Sequence, residues 1–268
     1  MRIVIDLQGA QTESSTRGIG VYSLSLAKAI ARNRGEHDII LALSAGFPAS
    51  IDSIRSEFDG LVPQENIRVW YPPTSVRELD SGNDWRREVG EFIREAFLGS
   101  LRPDILHISS LFEGFVDDGV TSIGKIDENT IVSASLYDLI PLLNPKRYLD
   151  PSPAYARWYR RKVDFLRKTS QLLAISEFSK NEGKRQLSSH VSSICNVSTA
   201  AAQHFAPLKI GKSSEIDILR KYALTRSFVL YTGATDDRKN LPRLIRAFAL
   251  LPSELRDSLQ LVFAGRVP

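Results

Sequence analysis

Several short stretches of this chain carry residues whose types and spacing could do chemistry. Arg17-Gly18-Ile19-Gly20 puts two glycines where a loop enters a helical pattern. Glycine lets backbone approach a ligand closely, and a helix N-terminus offers free N–H groups and positive dipole to an anion. The same pattern also suits a plain helix entry. It is not the dinucleotide fingerprint, which would follow the first strand directly. Asp104 to Gly114 places His107, Ser109 and Glu113 at the C-terminal end of a strand pattern. That is the edge where open α/β sheets bind ligands. Glu113, in the loop, could bind hydroxyls, whereas His107 lies within the strand and could be a satisfied core histidine. Asp138, in Tyr137-Asp138-Leu139-Ile140-Pro141, could accept sugar hydroxyls or hold its own turn. In Ile175-Ser176-Glu177-Phe178-Ser179, followed by Glu182, the spacing of Ser179 and Glu182 fits a capping box. Finally, Tyr231-Thr232-Gly233 leads through a turn to Arg238-Lys239-Asn240. Cations at a helix start oppose the helix dipole, and a bound diphosphate would offset that cost.

The elements that must position these residues alternate. Short apolar runs at Ile3–Ile5, Asp38–Leu43, Ile67–Tyr71, Asp104–Ile108, Thr130–Ser135, Leu172–Ile175 and Val191–Val197 read as strands. Helical periodicity separates them at Gly18–Arg32 and at Asp84–Leu98, where Trp85, Val89, Phe92 and Phe97 share a side. Nearly all-apolar strands alternating with helices imply a parallel sheet covered on both faces. Ser152 before Pro153 marks a helix start after a loop rich in proline. A second break, Phe205–Ser214, precedes strand Phe228–Tyr231, helix Leu241–Leu251 and strand Leu259–Ala264, one βαβ unit. The reading is an α/β protein with one complete Rossmann-like parallel-sheet domain over residues 1–208, a linker over 209–226 and the start of a second domain over 227–268.

Composition narrows the class. Apolar residues make up 43% and charged residues 25% of the chain, the balance of a globular protein. No apolar run approaches the about 18 residues of a membrane-spanning helix. The one cysteine, Cys195, excludes an internal disulfide framework and fits a cytoplasmic location, where the sequon Asn196-Val197-Ser198 is idle. A net charge of +4 suits either polyanionic partners or plain solubility. The pattern Tyr155–Lys168 is dense in Arg and Lys with interleaved aromatics. It reads either as a solvated helix with a packed stripe or as peripheral contact with the anionic inner face of the cytoplasmic membrane.

Taken together, the stretches fall in a recognisable order. Met1-Arg-Ile-Val-Ile-Asp-Leu-Gln-Gly9 followed by Arg17-Gly-Ile-Gly-Val-Tyr22 resembles the opening of retaining GT-B glycosyltransferases of family four. Within that family it looks most like mannosyltransferases that build bacterial O-antigen and related polysaccharides. Leu106–Gly114, Tyr137–Pro141, Ile175–Ser179 and Leu230–Gly233 with Arg238–Asn240 match the same group, across essentially the whole chain. The resemblance implies two Rossmann-like domains facing across a cleft, the first for the acceptor and the second for the nucleotide of a donor such as GDP-mannose. It implies no metal and no nucleic-acid partner, with a glycan or lipid-linked acceptor. Gly18 and Gly20 match the loop near the donor phosphate and transferred sugar, and Arg238 and Lys239 the pair that holds the diphosphate. Arg17, His107, Ser109, Glu113, Asp138, Ser176, Glu177 and Gly233 fall at matching motif positions. Where many members have histidine before the aspartate, this chain has Tyr137. The family's spaced glutamate pair of the second domain lies beyond Pro268, so the expectation is an N-terminal fragment or truncated product. The alternatives are a non-catalytic degenerate glycosyltransferase that binds acceptor, or a GT-B sugar-nucleotide epimerase.

Overall fold

The computed structural model describes residues 1–127, 129–187, 191–201, 205–233 and 239–265. The chain divides into two compact units, Met1–Ala202 and Gln203–Pro268. In the first, seven parallel strands form one sheet: β1 (Arg2–Asp6), β2 (Asp38–Ser44), β3 (Ile67–Trp70), β4 (Ile105–Ile108), β5 (Ile131–Leu136), β6 (Gln171–Ala174) and β7 (Ser193–Asn196), in the order β3-β2-β1-β4-β5-β6-β7. The parallel sheet expected from the apolar runs is therefore present. Parallel neighbours need crossover helices, and right-handed crossovers put helices on both faces.

The period-two alternation within strands fills both layers. Ile5, Ile39, Leu41 and Leu43 point to one face, where they meet Ala27 and Ala31 of α1 (Gly18–Arg32) and Ile54 of α2 (Pro48–Glu57). Val4, Ile40, Leu106, Ile108, Val132 and Ala134 point to the other. There they meet Leu98 of α3 (Asp84–Ser100), Trp158 and Val163 of α6 (Pro153–Leu166) and Leu187 of α7 (Glu177–Leu187). Two short turns, α4 (Ile140–Leu143) and α5 (Pro145–Tyr148), occupy the segment before α6. Ser152 caps α6 as its sequence suggests, accepting from Tyr155 N at 3.3 Å with Pro153 in the first turn.

Helix α3 forms where the periodicity places it, but charged residues fill much of its buried side. Of the residues on its apolar side, Trp85 is 62% and Phe92 42% exposed, and Phe97 packs against the core, while Arg87, Glu91 and Arg94 are buried. The reason is electrostatic. Arg94 sits fully buried and donates through Nε to Asp6 Oδ2 at the end of β1 at 2.8 Å, through Nη2 to the same oxygen, and through Nη1 to Ser122 O at 3.0 Å. Glu91 pairs with Lys125 at 2.8 Å and Arg161 at 3.6 Å. Unpaired buried charge costs several kcal/mol, so these partners outweigh the weaker gain from turning Trp85 inward.

The same tension appears on α6, the basic helix. Trp158, Tyr159, Val163 and Phe165 are buried, so its apolar face belongs to the core. Lys162 is buried with them and donates to Thr121 O at 2.6 Å and Thr121 Oγ1 at 2.5 Å, and burial pulls its ammonium down to about 7. Arg161 pairs with Glu78, Arg167 with Asp164, and Lys168 donates to Gly124 O. Arg157 and Arg160 remain exposed.

The second unit holds α8 (Lys212–Lys221), β8 (Ser227–Thr232), α9 (Leu241–Ala249), α10 (Ser253–Ser258) and β9 (Leu259–Ala264), with β8 and β9 parallel. Helices α2 and α8 carry no clear apolar stripe in the sequence, and only Ile54 of α2 and no residue of α8 is buried. Among the described residues of this unit none is fully buried.

Replacing Arg94 with methionine keeps its volume and leaves Asp6 a buried carboxylate without its cation. We expect urea denaturation to show a loss of about 3–5 kcal/mol. The double variant Asp6→Asn/Arg94→Met should recover part of that loss, because it removes both charges.

Candidate functional site

The strand order reverses between β1 and β4: the chain runs from β1 outward to β3, then returns to β1's other side. Loops leaving adjacent strands in opposite directions open a crevice at the C-terminal edge of the sheet. Three segments meet at this edge: 7–17 after β1, the start of α1, and 109–120 after β4.

Their backbones are interlocked. The Gln8 amide donates to Asp6 Oδ2 at 3.2 Å and Val120 O at 2.7 Å, and its Oε1 accepts from Val120 N at 3.0 Å. Glu113, 3% exposed, accepts from Ser110 Oγ at 2.6 Å on one oxygen and from Thr12 Oγ1 at 2.8 Å and Ser14 Oγ at 3.1 Å on the other. Asp117 Oδ2 accepts from Glu13 N at 3.0 Å. Asp118 Oδ1 takes Ser75 Oγ at 2.9 Å and Val76 N at 2.7 Å, fastening the segment after β3 to the same edge. Burial, against the three hydroxyl donors, pushes the Glu113 carboxyl up to about 7.

Glycines mark the closest approaches. A Cβ on Gly9 would stand 2.8 Å from both Ser110 Cβ and Ser23 Oγ, and 3.2 Å from Ser109 Oγ. The Ser109 hydroxyl is itself buried and has no hydrogen-bond partner among the described residues. A Cβ on Gly20 would stand 2.4 Å from Ser15 Cα and 2.5 Å from Ser14 O, so Gly20 serves the fit of the 12–17 loop. Gly18, exposed, would meet nothing within 4 Å. It opens α1 behind Arg17, which extends at φ −108° and supplies no side-chain cap. The entry to α1 is thus a helix N-terminus without a side-chain cap, where Ser14 O takes the Gly20 N–H.

The remaining sequence candidates separate into groups. His107 is 3% exposed inside the sheet layer, with Nδ1 2.9 Å from Ser133 Oγ and Nε2 3.3 Å from Ser135 Oγ. Burial holds its imidazole down at about 4, hence neutral, and no face is left for a ligand. Asp138 is half-buried at the β5 end, accepts from Ile140 N at 3.1 Å and disfavours ionisation of the buried Tyr159. Ser176, not Ser179, caps α7, since Ser179 N donates to Ser176 Oγ at 3.0 Å. This corrects the capping-box reading. Ser179 Oγ instead donates to Tyr137 O at 2.6 Å, and the buried Glu182 accepts from Leu139 N at 3.5 Å. Glu177 is exposed and paired with Lys180.

In the second unit Gly233 follows β8 at φ 141°, with its N–H donating to Ala264 O at 3.2 Å. Lys239 is exposed ahead of α9, and Arg238 lies outside the described residues.

Sequence reasoning missed Thr12, Ser14, Asp117 and Tyr137. The Tyr137 phenol lies 3.0 Å from Ser23 Oγ, 3.0 Å from Ser109 O and 3.3 Å from Ile19 O, tying α1 to the β4 edge. The hydroxyl-rich run 11–16 was a visible signal, but its partner is about a hundred residues away: Thr12 and Glu113 are 101 apart.

By sequence, the chain is 30% identical over its full length to a serotype-specific mannosyltransferase WbdA of Escherichia coli, matching 32% of that protein. A second WbdA of Escherichia coli is 27% identical over 90% of the chain and 30% of its own length. A shorter match, 30% identical, joins 35% of the chain to 24% of O-antigen chain mannosyltransferase B of Escherichia coli. The chain therefore spans about a third of the length of the curated relatives it matches. No protein-family model matches it. Among solved structures, Phytolacca americana UGT2 complexed with UDP-2fluoro-glucose and pterostilbene gives a TM-score of 0.48 at 12% identity, over 99% of this chain and 71% of that one. A putative UDP-N-acetylglucosamine 2-epimerase from Listeria monocytogenes gives 0.47 at 10% identity, over 99% and 62%. The fold class rests on the sheet described above.

Two expected outcomes test the geometry. Gly18→Ala should leave the far-ultraviolet spectrum and melting temperature near those of the parent, whereas Gly20→Ala drives a methyl into Ser14 and Ser15 and should lower stability by about 1–3 kcal/mol. The second outcome concerns pH. The folded chain keeps the Glu113 proton to about 7, and the unfolded chain loses it near 4.5. The resulting stability is full below the lower value and is lost as pH rises through the upper one. Melting temperatures taken from pH 4 to pH 8 should decline more in the parent than in Glu113→Gln, by the equivalent of up to about 3 kcal/mol.

Proposed function

The chain is mannosyltransferase-like in sequence along its whole length, and from that premise we propose that it serves transfer of a hexose, mannose in our reading, from a nucleotide sugar to a growing glycan. The single observation that carries the proposal is the 30% identity to a mannosyltransferase across the full chain. The crevice supports it physically. A helix start without a side-chain cap beside an exposed glycine suits an anionic or polyhydroxylated ligand, and Gly18 with the entry to α1 would take the phosphate-bearing end of the donor.

The roles then divide by chemistry. Transfer breaks the bond between the sugar's anomeric carbon and the phosphate oxygen, so negative charge grows on the departing nucleoside diphosphate. Arg238 and Lys239 supply the positive charge that stabilises it. Asp138, half-buried beside the aromatic residues of α6, accepts hydrogen bonds from sugar hydroxyls. Ser176 and Glu177, at the start of α7, serve as further substrate contacts in this reading. GDP-mannose is the donor we assign, and a glycan or lipid-linked saccharide the acceptor. In this reading the first unit serves mostly the acceptor side, apart from Gly18 and the entry to α1, and the second mostly the nucleotide.

A cytoplasmic site of action follows, peripheral to the membrane that bears the acceptor. Among the described residues no helix is long and apolar enough to cross a membrane. The exposed Arg157 and Arg160 are the cations of α6 left to meet anionic headgroups, at about 1 kcal/mol each near such a surface. Vesicle flotation at low salt checks this: Arg157→Ala/Arg160→Ala should reduce the bound fraction on anionic vesicles and leave neutral ones unaffected.

Calorimetric titration of GDP, UDP and their sugars tests the main reading. We expect one nucleotide to bind in the micromolar range, and Lys239→Ala to weaken it about tenfold or more, the worth of a charged hydrogen bond. A folded chain that binds none of them sinks the assignment of the donor to this chain.

A further inference from the structure

Both oxygens of the buried Glu113 carboxyl are already taken by hydroxyls of its neighbours. One oxygen takes Ser110, and the other takes both Thr12 and Ser14. Its loop is shaped around that arrangement. Gly114 stands at φ 92°, where a Cβ would lie 2.0 Å from Gly119 O, and a Cβ on Gly119 would lie 3.1 Å from Thr12 Cγ2. From Ser14 the connection to α1 is direct. Ser14 O accepts from Arg17 N at 2.9 Å and from Gly20 N at 3.0 Å, so the residue gripped by Glu113 also terminates the helix entry.

We propose that Glu113 is a positioning residue that clasps the 12–17 loop and so sets the start of α1 for the ligand. The proposal rests on the reading of α1 as the donor-phosphate end, and it assigns Glu113 a task other than contact with sugar.

The clasp has a built-in dependence on protons. Closed, the carboxyl is buried and titrates near 7; open, in water, it titrates near its ordinary 4.5. The Asp117 carboxylate on its own loop disfavours its charge. The Tyr137 phenol faces it from β5, where the two ionisations oppose each other. Glu13, exposed, stands on the loop being held. Between the two values the closed form keeps a proton that the open form has lost, so closure weakens as pH rises through that interval and then levels off.

Amide hydrogen exchange on the full chain reads the clasp without any ligand. Measured at pH 5 to 8 and corrected for intrinsic rates, protection of residues 12–20 should fall between pH 5 and about 7 in the parent. In Glu113→Gln it should stay flat, and in Glu113→Ala exchange of this segment alone should speed up about tenfold, with β4 and β5 unchanged. Unchanged exchange of 12–20 in Glu113→Ala overturns the proposal, as does a rise spread over the whole sheet. Nucleotide titration of the same samples separates the two readings. If the parent binds GDP or UDP, Glu113→Ala should weaken binding and Glu113→Gln should restore it and remove its pH dependence. If the parent binds neither while the local exchange effect stands, the phosphate reading fails and the clasp survives as a device of the loop.

Discussion

The contact on which the rest of the crevice depends is the buried pairing of Asp6 with Arg94. Asp6 ends β1, the strand beside the switch point, and its carboxylate is matched by the guanidinium of α3 and the amide of Gln8. From there the network runs outward without interruption: Gln8 to Val120, Arg94 to Ser122, Lys162 to Thr121. The segment 120–122 is thereby fixed from three sides, and it sits directly behind the loop that carries Glu113 and Asp117. A hydrophobic floor could bury more apolar area. Only directional bonds could hold three irregular segments in one register at a sheet edge that no strand pairing organises.

This accounts for the division of labour across the sheet. Each face is apolar and generic, with Val, Ile, Leu and Ala in alternation. The C-terminal edge is built from carboxylates and hydroxyls. Glu113 and Asp117 accept from the hydroxyls and backbone of residues 12–14, and Asp118 accepts from the segment after β3. The acids that make the edge look like a catalytic cluster are largely occupied in holding the loops. What remains open to a ligand is small: the entry to α1, Gly18 and the rim near Asp138.

The strands were legible in the sequence because parallel strands buried on both faces leave uninterrupted apolar runs. β1, β2 and β4 through β6 fall where those runs lie. Helix α6 was equally plain, since Ser152 and Pro153 announce it. Helix α3 falls where its periodicity places it, but its apolar stripe does not mark its buried side. Periodicity reports where apolar residues cluster, and it assumes that the apolar side is the buried one. Here three charged residues at helical spacing found partners on β1 and on the segments after β3 and β4, and those partners are invisible to a local pattern. The site shows the same limit. Gly18, Gly20 and Glu113 stood out by type, but only the fold separates the glycine that leaves space from the one that fills it, or shows that Glu113 faces hydroxyls of a loop about a hundred residues earlier.

Helix α3 has one more consequence, for the order of events in folding. Most helices of such a fold can settle on any apolar surface and adjust later. This one offers the nascent core Arg87, Glu91 and Arg94, and its greasy side invites the wrong docking. Its correct placement waits for the end of β1, 88 positions earlier in the chain. Closing that loop comes before any reward from the pairing, and such long-range closure slows folding. The docking of this helix thus depends on one distant carboxylate rather than on apolar contact alone.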